Sequence, residues 1–238
     1  MAKRKTSPKS ARRRVRPLRW LIFWGLRTVA LVAMIALLVI LVHGVIKPPK
    51  TLYMRQEQAR LGGIAHEWVP IEEVAPVMAR AAVAAEDANF CNHWGFDMAA
   101  IRLAIEEGAG RGASTISQQT VKNVYLWHGR NWVRKALEAM ITPVVEAVWS
   151  KRRIIEVYLN VAEFDEGVFG VKAAARHHFG VGPEALTAQQ AAQLAAVLPN
   201  PKARSAANPD AAMRARAAQI RDGAATIRRD GRSACFED

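Results

Sequence analysis

Apolar residues fill the chain from Trp20 to Ile46 with one interruption, Arg27, and leave no polar face. The uncharged part, Thr28 to Ile46, is long enough to cross a hydrocarbon layer of about 30 Å as a helix. The apolar core is longer than that of a signal peptide and no small-x-small cleavage site follows, so the expectation is an uncleaved transmembrane helix over 20–46. Lys47-Pro48-Pro49-Lys50 reads as a stiff exit, with 47–70 as linker and domain entry and 71–238 as one domain. Beyond it the pattern changes to short apolar runs set between polar caps, glycines and prolines. An Ala-rich run closes on Glu86-Asp87. Asp97 caps a run through Ile105 that Gly108 ends, and Ser114 caps another running toward Tyr125. Asn131 opens a long helix through Trp149 with Pro143 inside it as a kink, and Ser150 opens the next through Leu159. Thr187 and Gln190 form a capping box ahead of Ala191–Leu198, which Pro199 stops. Residues 210–230 read as an Ala/Arg helix packed at the surface. Alternation never persists long enough for a sheet, so the class is mostly α, with room for a short hairpin within 51–70.

Charge changes this picture only at the N-terminus. The formal net charge is +13, which by itself suggests a nucleic-acid binder. Twelve of the 34 Lys and Arg residues lie in 1–50, where there is no Asp or Glu, leaving 22 basic against 21 acidic residues in the rest. The body is near neutral, so nucleic acid is excluded as a partner. The basic tail, 1–19, predicts a cytoplasmic N-terminus with the remainder exported. On that side Cys91 and Cys235 lie in an oxidising compartment and can pair, closing a long loop worth about 4–5 kcal/mol in the chain-entropy model.

The chemistry-bearing residues sit in the body. Glu86 ends a helix that is apolar on every side, so its carboxyl is partly desolvated and its pKa raised toward proton-transfer duty, unless it simply faces water. Glu106–Ala113 holds three glycines and reads as a flap over a groove or as an ordinary flexible connection. In Ser114–Asn123, Thr115, Gln119 and Lys122 share one polar helix face that offers donors to sugar hydroxyls and phosphate oxygens. Arg134 and Glu138 are spaced as a surface ion pair. With Lys122 and Lys135 they can instead hold a pyrophosphate. Lys151-Arg152-Arg153 opens a helix against its dipole, which points to a ligand or lipid headgroup, or else to a solvated turn facing anionic lipid.

Four ordered motifs carry a family resemblance: Glu86-Asp87-x-x-Phe90-x-x-His93-x-Gly95; Gly112-Ala113-Ser114-Thr115-Ile116-Ser117-Gln118-Gln119-x-x-Lys122-Asn123; Arg134-Lys135-x-x-Glu138; and Lys151-x-x-Ile154-Ile155-Glu156-x-Tyr158-Leu159-Asn160. Together, over about residues 80–180, they resemble the peptidoglycan glycosyltransferases shared with class A penicillin-binding proteins, and most closely the monofunctional biosynthetic transglycosylases. No Ser-x-x-Lys or Lys-Thr-Gly transpeptidase signature is present, and the tail after Asn208-Pro209 leaves no room for a second catalytic domain.

The resemblance implies a lysozyme-like helical fold in the bacterial inner membrane with a periplasmic catalytic domain. The implied substrates are lipid II and the nascent glycan strand, with cell-division or elongation proteins as further partners. Glu86 would be the general base, and Glu138 would assist near the diphosphate through a proton, a divalent cation (Mg or Mn) or by orienting Arg134 and Lys135. No cofactor is otherwise required. Lys122, Arg134 and Lys135 would stabilise the leaving diphosphate, and Ser114, Thr115, Gln119 and Asn123 would line the groove. Many relatives carry a lysine directly after Leu-Pro, where this chain has Asn200 and only then Lys202. Leu52, Tyr53, Trp68 and Val69 are candidates for a membrane-inserted patch. Two rivals stand beside this reading: a lytic enzyme of the lysozyme type, which has no use for a diphosphate site, and a membrane-anchored scaffold, which leaves the polar helix face unexplained.

Overall fold

A computed structural model of the chain describes residues 17–108, 113–129 and 131–237. The chain divides into two units, 1–40 and 41–238. In the first, the described residues belong to α1, Pro17–His43. Its side chains are exposed from Leu18 to Val39, and Leu18–His43 is long and apolar enough to cross a membrane.

The second unit is mostly helical, as expected, and its local start signals explain why. Asp97 caps α4, Met98–Glu106, by accepting from the Ala99 and Ala100 amides. Asn131 caps α6, Trp132–Val148, which carries Pro143 inside it, and Ser150 caps α7, Lys151–Val161. Thr187 and Gln190 close a capping box on α9, Ala188–Val197. In each case a short polar side chain satisfies amides that the first helical turn leaves unpaired. Behind these elements α3, Pro76–Glu86, packs against α9 and α10, Ala211–Arg229. Small residues on these three helices, including Ala81, Ala82, Ala192, Ala195, Ala217 and Ala224, are essentially without solvent exposure. Such side chains let helix axes approach closely. Helix α10 is packed at the surface as expected, with Met213, Ala217, Ile220, Ala224 and Ile227 buried along one face.

Three expectations can be set beside the structure. Residues 51–70 hold no hairpin. Thr51 caps a helix, α2, Leu52–Leu61, whose Met54 is fully buried, and Gly62 ends it in the left-handed conformation. A two-residue strand follows, β1, Ala65–His66. The hairpin lies instead at β2, Glu163–Asp165, and β3, Val168–Phe169, with sheet order β1-β3-β2. β3 runs antiparallel to β2 and parallel to β1, with Ala65 opposite Val168. Second, 47–70, expected as linker and domain entry, falls within the compact unit 41–238. Asn160 locks this segment down: its side chain accepts from the Val69 amide and donates to the Val69 carbonyl, both at 2.8 Å. Third, Val69 is buried and cannot enter a membrane, whereas Leu52 is exposed. Trp68 is half-buried under the Arg153 guanidinium.

Cys91 and Cys235 are joined as a disulfide, which ties α11, Ala234–Glu237, to the turn after α3. Phe236 of α11 packs against Phe90 of that turn, and both are buried.

Candidate active site

Helix α3 delivers Glu86 at its last turn, next to the start of α5, Ile116–Tyr125. The Gln119 amide nitrogen donates to a Glu86 oxygen at 2.9 Å. The hydroxyl of fully buried Tyr158 donates to the other end of the same amide at 3.4 Å. Burial pushes the Glu86 carboxyl above the usual carboxylate range. The Gln119 hydrogen bond and the charges of Arg216 and Lys122 oppose that shift without cancelling it. Among the described residues the side-chain donor to this carboxylate is the neutral Gln119 amide, which suits exchange of a proton with a bound hydroxyl.

The neighbouring Asp87 does something different. It is buried, accepts from His93 Nε2 at 2.8 Å and from the Ile116 amide at 2.9 Å, and so fixes the N-terminus of α5 against the loop that follows α3. Thr115, not Ser114, is the cap of α5 and forms its capping box with Gln118. The Thr115 hydroxyl donates to the Gly95 carbonyl at 2.7 Å and accepts from the Gln118 amide. It is committed inside the protein and is not offered to the groove. Gly95 must be glycine there: its φ is +80°, and a Cβ would lie 2.5 Å from the Thr142 methyl.

Lys122 stands one turn along α5 from Gln119. It is half-buried, and desolvation lowers its pKa, with Arg134 and Lys135 adding to that and Glu138 and Glu86 opposing it. Among the described residues it forms no ion pair. Arg134 and Lys135, on α6, both do. Arg134 donates to one oxygen of Glu138 at 2.6 Å and Lys135 pairs with the other. Lys135 also reaches the exposed Ser114 hydroxyl at 3.3 Å. Glu138 is 2% exposed, so its charge is spent on holding these two cations. Both of its oxygens are occupied and the other charges about it are positive, so the donor set does not fit a divalent cation.

Gln119, Lys122 and Asn123 line one wall of a cavity of about 270 Å³. The same cavity is lined by residues that spacing alone did not bring together: Tyr53, His128, Glu163 and Lys202. The Tyr53 ring stacks on His128 at 3.7 Å, and its hydroxyl donates to Glu163 at 2.7 Å. Tyr53 thus faces the cavity and not lipid, and burial with that bond pushes its pKa to about 12. Burial and the nearby cations push His128 down to about 4, so it is neutral. Lys202, three residues after Pro199, lines the cavity and pairs with Glu57 at 2.8 Å.

The basic start of α7 is engaged by protein groups. Lys151 pairs with Glu146 and donates to the His93 carbonyl, both at 2.8 Å. Arg152 binds the Phe236 and Glu237 carbonyls and Glu72, and Arg153 binds the His43 and Ile46 carbonyls. The flap expected in Glu106–Ala113 falls largely on 109–112, outside the described residues.

A helical domain carrying a desolvated carboxylate, a cation with no ion pair among the described residues and a held pair of cations suits group transfer with an anionic leaving group. The family model described as Transglycosylase matches residues 55–224. The chain is 59% identical over 243 residues to a biosynthetic peptidoglycan transglycosylase of Jannaschia sp. (strain CCS1), covering 99% of both chains. It is 47% identical to one of Pseudomonas fluorescens (strain SBW25), covering 84% of this chain and 87% of that one. To one of Yersinia pestis (strain Pestoides F) it is 49% identical, covering 75% and 79%. The chain belongs to the transglycosylase family, and it is a peptidoglycan glycosyltransferase.

Proposed function

We propose that this enzyme polymerises glycan strands from lipid II, with Glu86 as the general base. The acceptor sugar's 4-hydroxyl gives its proton to Glu86 as its oxygen bonds to C1 of the donor sugar. The bond from C1 to the diphosphate breaks, and undecaprenyl diphosphate leaves with the electron pair. Attack opposite the leaving group inverts the anomeric centre and forms a β-1,4 link. The observation that carries this reading is Lys122, a half-buried cation with no ion-pair partner among the described residues, set between Glu86 and the Arg134/Lys135 pair. Such a site binds an anion, and preorganised cations at a leaving diphosphate supply a large share of the barrier reduction. Glu138 acts by orienting Arg134 and Lys135, and no metal step is needed. Ser114, Gln119 and Asn123 contact sugar or phosphate, while Thr115 supports the helix start.

The setting is the inner membrane, crossed once by α1, with the N-terminus cytoplasmic and the catalytic domain periplasmic. The basic tail and the Cys91–Cys235 disulfide support this topology. A lytic enzyme would have no use for an unpaired cation beside its acid.

The test is incubation of labelled lipid II with the detergent-solubilised full chain. Lysozyme-sensitive strands are expected. Intact lipid II together with cleavage of finished glycan would overturn the reading in favour of lysis.

A further inference from the structure

Outside the groove, one cluster of side chains has no part in the chemistry above. Asp165 ends β2, and His177 and His178 lie in the last turn of α8, Val171–Phe179. His177 Nε2 is 3.2 Å from Asp165 Oδ2, and His178 Nε2 is 3.8 Å from the same oxygen. One ligand atom from each residue falls within 4.8 Å of the others. The two imidazole rings meet edge to face at 4.8 Å between centroids. His178 is buried, while His177 and Asp165 are partly exposed, so the cluster is held from below and open above.

The geometry points to a zinc-binding site formed by Asp165, His177 and His178, distinct from the groove. Zinc bonds nitrogen and oxygen at about 2.0–2.2 Å, so in a tetrahedral site the ligand atoms stand about 3.4 Å apart. The 3.2 and 3.8 Å separations bracket that spacing. Two imidazoles and one carboxylate suit zinc over magnesium or calcium, which prefer all-oxygen sets. The open side leaves a fourth position for water. His178 Nε2 now also faces the Phe164 carbonyl at 3.3 Å. Binding transfers the ring proton from Nε2 to Nδ1 and puts the metal in its place. The bound ion would pin the β2–β3 hairpin to α8. Because β2 also carries Glu163, this fixes one wall of the cavity from outside without touching the reacting groups.

The test uses the tag-free full chain in detergent, stripped with EDTA. Zinc chloride should raise the unfolding temperature by several degrees, and EDTA should reverse it. Cobalt(II) should give the intense visible absorption of a tetrahedral site, and magnesium should do neither. His177→Ala and Asp165→Asn change partly exposed residues outside the groove, so each should polymerise as wild type does. Each should also lose the cobalt absorption and bind zinc at least about tenfold more weakly, since a ligand matters at least as much as its supporting shell. No zinc-dependent shift in wild type, or an equal shift in both variants, would overturn the site. Neither result bears on polymerisation, so this inference and the proposed function fail separately.

Discussion

Glu86 and Glu138 are the same side chain in two opposite environments. Glu86 is lodged in a desolvating pocket and receives one neutral donor, Gln119. Glu138 is buried more completely but clasps Arg134 and Lys135, one on each oxygen. The first arrangement disfavours the charge and readies the group to take a proton. The second sets two cations against the carboxylate, which holds them in place. Lys122 lies between them and senses both. Residue type therefore did not decide the roles; the partners did.

The comparison is open to breaking by substitution. Glu86→Gln keeps the shape and removes the base, and polymerisation should fall by about 10²–10⁴-fold. Because this also removes a desolvated charge, the unfolding temperature should stay level or rise, which calorimetry would show. Lys122→Met should reduce kcat by about 10²–10³-fold, the range seen when one preorganised electrostatic contact is lost from a transition state. Glu138→Gln should act on stability first. It leaves two cations without their acceptor, and breaking a buried pair in this way destabilises by about 3–5 kcal/mol, so the unfolding temperature should drop where that of Glu86→Gln does not. The smallest effect belongs to Thr115→Val, which removes the α5 cap and should lower stability by about 1–2 kcal/mol with KM for lipid II unchanged. A large rise in KM would return Thr115 to the groove.

Much of this was legible because it is local. Asp97, Asn131, Ser150 and Thr187 cap the helices that their spacing predicts, since each contact spans two or three residues. Where two capping side chains stand side by side, the pattern could not choose, and Thr115 displaced Ser114 because its hydroxyl also reaches Gly95. Glu86, Lys122, Arg134, Lys135 and Glu138 were found through ordered motifs. Tyr53, His128, Glu163 and Lys202 were not read as one wall, because they come from four distant segments that only the folded chain assembles. Arg216, whose charge reaches Glu86 from α10, left no signal either, being one arginine among many in an Ala/Arg helix. The arginines and lysine that open α7 looked like ligand groups for the same reason: their partners, the Phe236, His43 and His93 carbonyls, are remote in sequence.

The central claim, that Glu86 and not Glu138 takes the proton, is tested most directly by the acid limb of the pH–rate profile for lipid II polymerisation. The base works only when ionised, so activity rises with pH through a pKa above the usual carboxylate range. The Gln119 hydrogen bond favours the ionised form, so Gln119→Leu should move the limb to higher pH. Glu138→Gln, whatever it does to the rate, should not raise it. A limb that persists in Glu86→Gln, disappears in Glu138→Gln and stays fixed in Gln119→Leu would assign the base to Glu138 and contradict the account.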